Sequence, residues 1–205
     1  MPYWENDFLP AVDIAVLYAM VANNSPSKYI EVGSGTSTKV AAQAIREYSP
    51  LTQIYSIDPQ PRSKISSVVD FLISKPFEEI DFFKEVNIEA GDILFIDNSH
   101  RVLPNSDVTV LFLEILPKLP QGVIVHFHDI YLPYDYPQFM CDRFYSEQYM
   151  LAAFILNNPS RYHTICPNYF ISEDPELSEI ISHLWDIESL SKAERHGGSY
   201  WIEIR

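Results

Sequence analysis

Apolar residues recur at helical spacing from Pro10 onward, with Ala11, Val12, Ile14, Ala15, Val16 and Leu17 leading a run that meets no strong breaker before residue 22, so the chain opens on a helix. The period then changes. Lys28–Val32 reads as a short strand stopped by Gly33-Ser34-Gly35, after which Thr38–Ile45 returns to helical spacing. Gln53–Ile57 is a second strand ending at Asp58-Pro59, and a third, short one is expected over Asp70–Ser74, closed by Pro76-Phe77. Asp92–Asp97 and Gly122–Asp129 are almost continuous apolar runs that finish on an acid, the pattern of parallel strands buried on both faces. A helix over Asp107–Leu116 lies between them. Ile130–Pro137, rich in Tyr and Pro, is a stiff loop, and Glu147–Leu156 is a further helix. Arg161–Cys166 and Ser199–Arg205 are the last strands, the terminal one fed by a turn at Gly197-Gly198. This alternation specifies an α/β domain built on a Rossmann-like, doubly wound, mostly parallel sheet.

The first strand-to-helix turn is where chemistry enters. Gly33 and Gly35 expose bare backbone there, and Thr36 and Ser37 open the helix, so a ligand can lie close against the chain. A dinucleotide fingerprint would carry a third glycine at position 38, where Thr38 stands, which argues against NAD. Glu31 beside the turn disfavours a pyrophosphate and suits a cofactor with an ammonium group. Asp58, 25 residues after Gly33 at the end of the next strand, stands where this topology sets a carboxylate to accept from both ribose hydroxyls. An adenosyl cofactor is the expectation.

Composition narrows the partners. With 205 residues, 47% of them hydrophobic, the chain supports one substantial core, so a single domain is expected over 1–205. Within it, 1–27 form an N-terminal helical cap, 28–137 the cofactor-binding core, and 138–205 the C-terminal helices and last strands. Fourteen Lys and Arg against 28 Asp and Glu leave a net charge of −14, which repels a phosphate backbone and excludes nucleic acid as the expected partner. Met1–Asp7 has neither the basic nor the apolar region of a secretory leader, and no run is long enough to span a bilayer, so a cytoplasmic protein without membrane association is expected. Cys141 and Cys166 lack CxxC spacing and read as buried free thiols. Homo-oligomer formation stays open.

The segments Glu31-Val-Gly-Ser-Gly, Ile57-Asp58, Phe95-Ile96-Asp97-Asn98-Ser99-His100 and Gly122–Asp129 together resemble class I S-adenosylmethionine-dependent methyltransferases. The likeness covers roughly residues 28 to 137. It is strongest to a bacterial group similar to the catechol O-methyltransferase-like branch, whose GDILFID-S-SH and VHFHDI segments occur here as Gly91–His100 and Val125–Ile130. Gly197-Gly198-Ser199-Tyr200-Trp201 also fits that group. The resemblance implies S-adenosylmethionine as cofactor, the class I methyltransferase fold with an antiparallel C-terminal strand, and no particular acceptor. The set implied to hold the cofactor is Glu31, Gly33, Gly35, Thr36, Ser37, Asp58 and Asp97.

Asp97 and His100 follow the fourth strand while His126, His128 and Asp129 finish the fifth, and those strand ends are neighbours at the ligand crevice of a doubly wound sheet. Alternation sets His126 and His128 on one side, a spacing suited to two imidazoles on one metal, with Asp97 or Asp129 adding oxygen. The catechol O-methyltransferase type holds Mg²⁺ with one acid after the fourth strand and an acid-amide pair after the fifth. Asp97 matches that pattern, and His128-Asp129 departs from it toward Zn²⁺, Fe²⁺, Mn²⁺ or no metal. A second reading makes His100 or His128 a general base beside Asp129, since imidazole titrates near neutrality. In a third the histidines only satisfy one another as a polar plug. Tyr131, Pro133, Tyr134, Tyr136 and Pro137 are expected to wall the crevice. The favoured function is O-methylation of a small-molecule acceptor. Its rivals are a non-catalytic S-adenosylmethionine-binding protein and a metal-dependent oxidoreductase or hydrolase that uses the His/Asp cluster.

Overall fold

Five short apolar strands set side by side account for the centre of the molecule. In the computed structural model, which describes Asn6 and residues 8–61, 64–190 and 192–205, β1 (Lys28–Val32) lies between β2 (Gln53–Ile57) and β4 (Ile93–Ile96) in parallel register. Apart from Asn6, Met1–Asp7, on which the expectation about a secretory leader rests, falls outside the described residues. β3 (Phe71–Ile73) extends the sheet beyond β2, and β5 (Ile124–Phe127) extends it beyond β4. β7 (Tyr200–Ile204) inserts antiparallel between β5 and β6 (Tyr162–Pro167), giving the order β3-β2-β1-β4-β5-β7-β6. The mostly parallel sheet with an antiparallel last strand is as expected.

The two faces are covered because both carry apolar side chains. On one, α1 (Ala11–Asn24) and α2 (Thr36–Tyr48) bury Ile14, Leu17, Val40 and Ile45 against Tyr29, Phe95 and Trp201. On the other, α3 (Phe82–Val86), α4 (Asp107–Val110) and α6 (Glu147–Asn157) bury Phe82, Val108 and Leu151 against Ile30, Leu94 and Phe127. The chain moves outward from β1 through β2 to β3 and then crosses back to β4 on the other side of β1. The carboxyl ends of β1 and β4 therefore open a crevice at the switch point.

Several boundaries differ from expectation. The helix expected over Asp107–Leu116 starts at Asp107 under a Ser106 cap, then widens into a π-turn over Leu111–Ile115 and tightens to a 3₁₀ turn over Leu116–Lys118. Pro117 lacks the N–H that a regular helix would need, and the altered pitch keeps Leu111, Phe112, Ile115 and Leu116 in the core. α3, α5 (Gln138–Cys141), α7 (Asn168–Glu173) and α8 (Pro175–Ile180) span less than two turns each, too short to register as a period. The thiols are free, but Cys141 is exposed and Cys166 only partly covered, which corrects the buried reading of both. No described helix is long and apolar enough to cross a membrane.

Candidate active site

At the head of the crevice the chain makes a backbone approach that only glycine allows. Gly33 sits at φ +78°, and a Cβ there would lie 1.9 Å from the carbonyl oxygen of Asp97. The Gly33 N–H donates to Ile57 O at 3.0 Å while the Asp97 N–H donates to Val32 O at 2.9 Å, which locks three strand ends together. Asp58, nearly buried, lines the cleft that opens here. Its carboxylate accepts from the Ser34 N–H at 2.8 Å and hydroxyl at 2.7 Å, and from the Gln60 N–H at 2.7 Å. Ser34 and Gln60, unread in the sequence, thus orient the acid that faces the cleft.

Four members of the expected cofactor set lie elsewhere. Glu31 is wholly buried and accepts from the Ser37 and Thr38 hydroxyls, so it ties β1 to the start of α2 and does not reach the cleft. Burial, only partly offset by those hydroxyls, pushes its pKa up to about 8, which favours its protonated form near neutrality. Thr36 and Ser37 open α2 outside the cleft lining, and Gly35 faces open space with φ −178°, which any residue adopts.

The polar cluster forms at the ends of β4 and β5, but not as one metal set. His100 is buried, with Nδ1 2.9 Å from the fully buried Glu147 carboxylate and Nε2 3.3 Å from Asp97 and 3.5 Å from Asp129. Burial opposes a charge on this ring, yet the hydrogen bonds to Asp97 and Glu147 hold its pKa well above the ordinary histidine value. His100 and Asp129 both occupy the left-handed region, at φ 58° and 53°, a conformation that non-glycine residues adopt where the surroundings impose it. His128 lines the cleft with Nε2 3.6 Å from Asp129, and its Nδ1 lies 3.5 Å from the Ser199 hydroxyl and 4.0 Å from Asp13. Burial works against its charge too, and Asp129, Asp97 and Asp13 outweigh it, so its pKa is raised.

His126 corrects the metal reading directly. It does share a side with His128, but its ring stacks on Phe95 at 3.7 Å, meets Trp201 edge-on, and engages the Ser199 hydroxyl through Nε2 at 2.7 Å, away from the cleft. Burial drives its pKa well below the ordinary value. Among the described residues no three His, Cys, Asp or Glu side chains are arranged to hold a metal ion. The acids that a divalent cation would bridge, Asp97 and Asp129, converge on the His100 ring, so this donor set does not fit the Mg²⁺ that the catechol O-methyltransferase type holds.

A buried acid behind His128 escaped the sequence reading. Asp13, on α1, accepts from Asn168 Nδ2 at 2.8 Å and from the Gly198 and Ser199 N–H groups at 2.8 and 3.2 Å. It thereby fastens the turn before β7 behind His128. The available signal was a lone acid on the apolar stripe Asp13, Leu17, Val21 of α1. Glu147 gave a similar one, four residues before the buried Leu151.

These elements enclose a cleft of about 1090 Å³. Tyr131 and Pro137 line it as expected, while Pro133, Tyr134 and Tyr136 do not: Tyr136 is buried behind, its hydroxyl accepting from the Gln148 N–H at 3.2 Å. Tyr145 and Tyr169, from outside the loop, complete the wall, Tyr169 packing on Tyr131 at 4.4 Å.

Residues 30–130 match the family model of a methyltransferase domain. No curated protein matches the chain. Among solved structures it is similar to an O-methyltransferase from Bacillus cereus in complex with S-adenosylhomocysteine (SAH), with 13% identity, a TM-score of 0.54, and coverage of 96% of this chain and 84% of that one. It is also similar to the O-methyltransferase TomG from Streptomyces achromogenes, involved in tomaymycin synthesis and in complex with SAM, with 13% identity, TM-score 0.52, and coverage of 95% and 80%. An SAH-bound methyltransferase from Podospora anserina gives 14%, 0.54, and 94% and 77%. At such identities these likenesses carry the fold.

Proposed function

From the match of residues 30–130 to a methyltransferase domain, we propose that the chain transfers a methyl group from S-adenosylmethionine to an oxygen of a small acceptor. The observation that carries this reading is that Asp58 and His128 line one cleft, with the bare backbone of Gly33 and Ser34 beside the first and a tyrosine wall beside the second. Asp58 would accept from the ribose hydroxyls, and Gly33 leaves room for the nucleoside against the strand end. S-adenosylmethionine, when bound, supplies an electrophilic methyl on a positively charged sulfur.

The protein's own tasks are then to align the acceptor and to take its proton. His128 borders the cleft with Nδ1 facing Ser199 and Asp13 and Nε2 3.6 Å from Asp129, and Nε2 is the nitrogen that would accept the acceptor proton as its oxygen bonds to the methyl carbon. The cofactor's sulfur would keep the bonding electrons of the transferred methyl, so the proton on His128 balances the acceptor. Tyr131, Tyr145 and Tyr169 exclude water and stack on a planar or sugar-like acceptor. His100 is not the base, because its ring nitrogens are both engaged by carboxylates. The reading extends to a cytoplasmic enzyme, where the unpaired thiols Cys141 and Cys166 stay reduced.

Incubation with methyl-labelled S-adenosylmethionine and a panel of catechols, sugars and hydroxylated natural products tests this. We expect one product that gains a methyl group mole for mole with SAH release, and a His128→Ala enzyme slower by about 10²- to 10⁴-fold at unchanged cofactor affinity. Normal turnover in His128→Ala would remove the base from the account.

A further inference from the structure

Two carboxylates ending neighbouring parallel strands repel each other unless a cation lies between them. Asp97 and Asp129 are such a pair, and the group between them is a ring nitrogen of His100, 3.3 and 3.5 Å from their oxygens. The ring does not rest there by chance. Its Nδ1 is 2.9 Å from Glu147, a fully buried carboxylate that also accepts from Asn98 Nδ2 at 3.2 Å. The backbone that carries it is held from both directions. His100 N–H donates to Asn98 Oδ1 at 3.0 Å, and His100 O accepts from the Ser146 and Glu147 N–H groups at 2.8 and 3.2 Å. Tyr145 packs on the ring at 4.7 Å. A histidine kept at φ 58° by this many contacts is a position the fold has over-determined.

We propose that His100, pinned by Glu147, stands permanently where a divalent cation would bridge Asp97 and Asp129, so that a side-chain N–H does the holding and the site works without a metal. Glu147 is then a positioning residue. It fixes the ring's orientation, and the ring in turn fixes the two carboxylates beside His128. A buried carboxylate, a buried imidazole and two strand-end acids form one compensated unit, in which removal of the ring would leave an acid pair with the oxygen donors that Mn²⁺ and Mg²⁺ prefer. The inference rests on the methyl-transfer reading for its catalytic meaning only, because cation binding can be measured without cofactor or acceptor.

The probe is Mn²⁺, followed by electron paramagnetic resonance as loss of the free-ion signal on the whole chain, with SAH calorimetry run beside it to report folding and the cofactor site. His100→Asn is the informative variant, since Asn tolerates the left-handed backbone and removes the ring. Wild type should leave Mn²⁺ free at millimolar concentration, and His100→Asn should bind it at least about 10-fold more tightly. Glu147→Ala should admit Mn²⁺ by releasing the ring, and Glu147→Gln, which keeps an acceptor for Nδ1–H, should restore its exclusion. If His100→Asn fails to fold, His100→Asn with Glu147→Gln removes the unpaired buried acid and carries the same expectation. One Mn²⁺ bound to wild type at submillimolar concentration would overturn the proposal, as would folded variants that bind no more Mn²⁺ than wild type. Absence of SAH binding in wild type would instead strike the methyl-transfer reading and leave the Mn²⁺ comparison standing.

Discussion

Glu31→Gln should change how stability depends on pH far more than it changes stability itself. The Glu31 carboxyl is wholly buried between the Ser37 and Thr38 hydroxyls, and burial raises its pKa from 4.5 to about 8. Between those two values the folded chain holds a proton that the unfolded chain has released. For an acid whose folded pKa is raised, stability therefore falls as pH rises through this window and is flat on either side, at a slope of about 1.4 kcal/mol per pH unit. From pH 5.5 to 7.5 the contribution is about 2 to 3 kcal/mol. An amide has the shape of the protonated acid and does not titrate, so Glu31→Gln loses this slope. Urea unfolding of both proteins at several pH values, read by fluorescence of the buried Trp201, gives the two curves, and their difference cancels every other titrating group. The variant should gain on wild type by that amount over those two pH units. Parallel curves would show that Glu31 is ionised in the folded chain and would return it to the set of anions available to a cofactor.

Other substitutions address the remaining parts of the site. Gly33→Ala forces a Cβ to within 1.9 Å of Asp97 O at φ +78° and should cost about 2 to 5 kcal/mol in urea unfolding, whereas Gly35→Ala should cost under about 1 kcal/mol; equal effects would contradict the assigned close approach. Asp13→Ala leaves the Gly198, Ser199 and Asn168 donors without their acceptor and should destabilise the chain by more than about 3 kcal/mol, and a loss under 1 kcal/mol would refute that anchoring role. The base His128 must be neutral to act, and Asp129, Asp97 and Asp13 raise its pKa while burial and His100 lower it, so kcat/KM should rise with pH through a midpoint above 6.5. Asp129→Asn should move that limb to lower pH, and an unmoved limb would assign it to another group.

The four central strands were legible because β4 and β5 are apolar runs, and β1 and β2 are short segments rich in Ile, Val and Tyr that stop at Gly33 and at Asp58-Pro59. Asp58, Asp97 and Asp129 were legible because acids at the carboxyl ends of such strands stand at the crevice. The direction of Glu31 was not. A strand buried on both faces has no polar alternation, so nothing local says that Tyr29 and Glu31 share the side covered by α1 and α2. His126 failed as a ligand for the same reason, since its partners Phe95, Trp201 and Ser199 come from β4, β7 and the turn before β7. Glu147 and Asp13 reach the site from helices 47 and 115 residues away from His100 and His128. Pairings across that much chain are written in packing. An acid on the buried stripe of a helix was the trace they left.

Isothermal calorimetry of SAH against wild type and Asp58→Ala tests the central claim most directly, because it needs no acceptor and reads the nucleoside end of the cleft alone. Wild type should bind in the micromolar range, about −7 to −8 kcal/mol, and Asp58→Ala should lose about 1.5 to 3 kcal/mol while remaining folded. No heat from wild type at millimolar SAH, or equal affinity in the two proteins, would contradict the account.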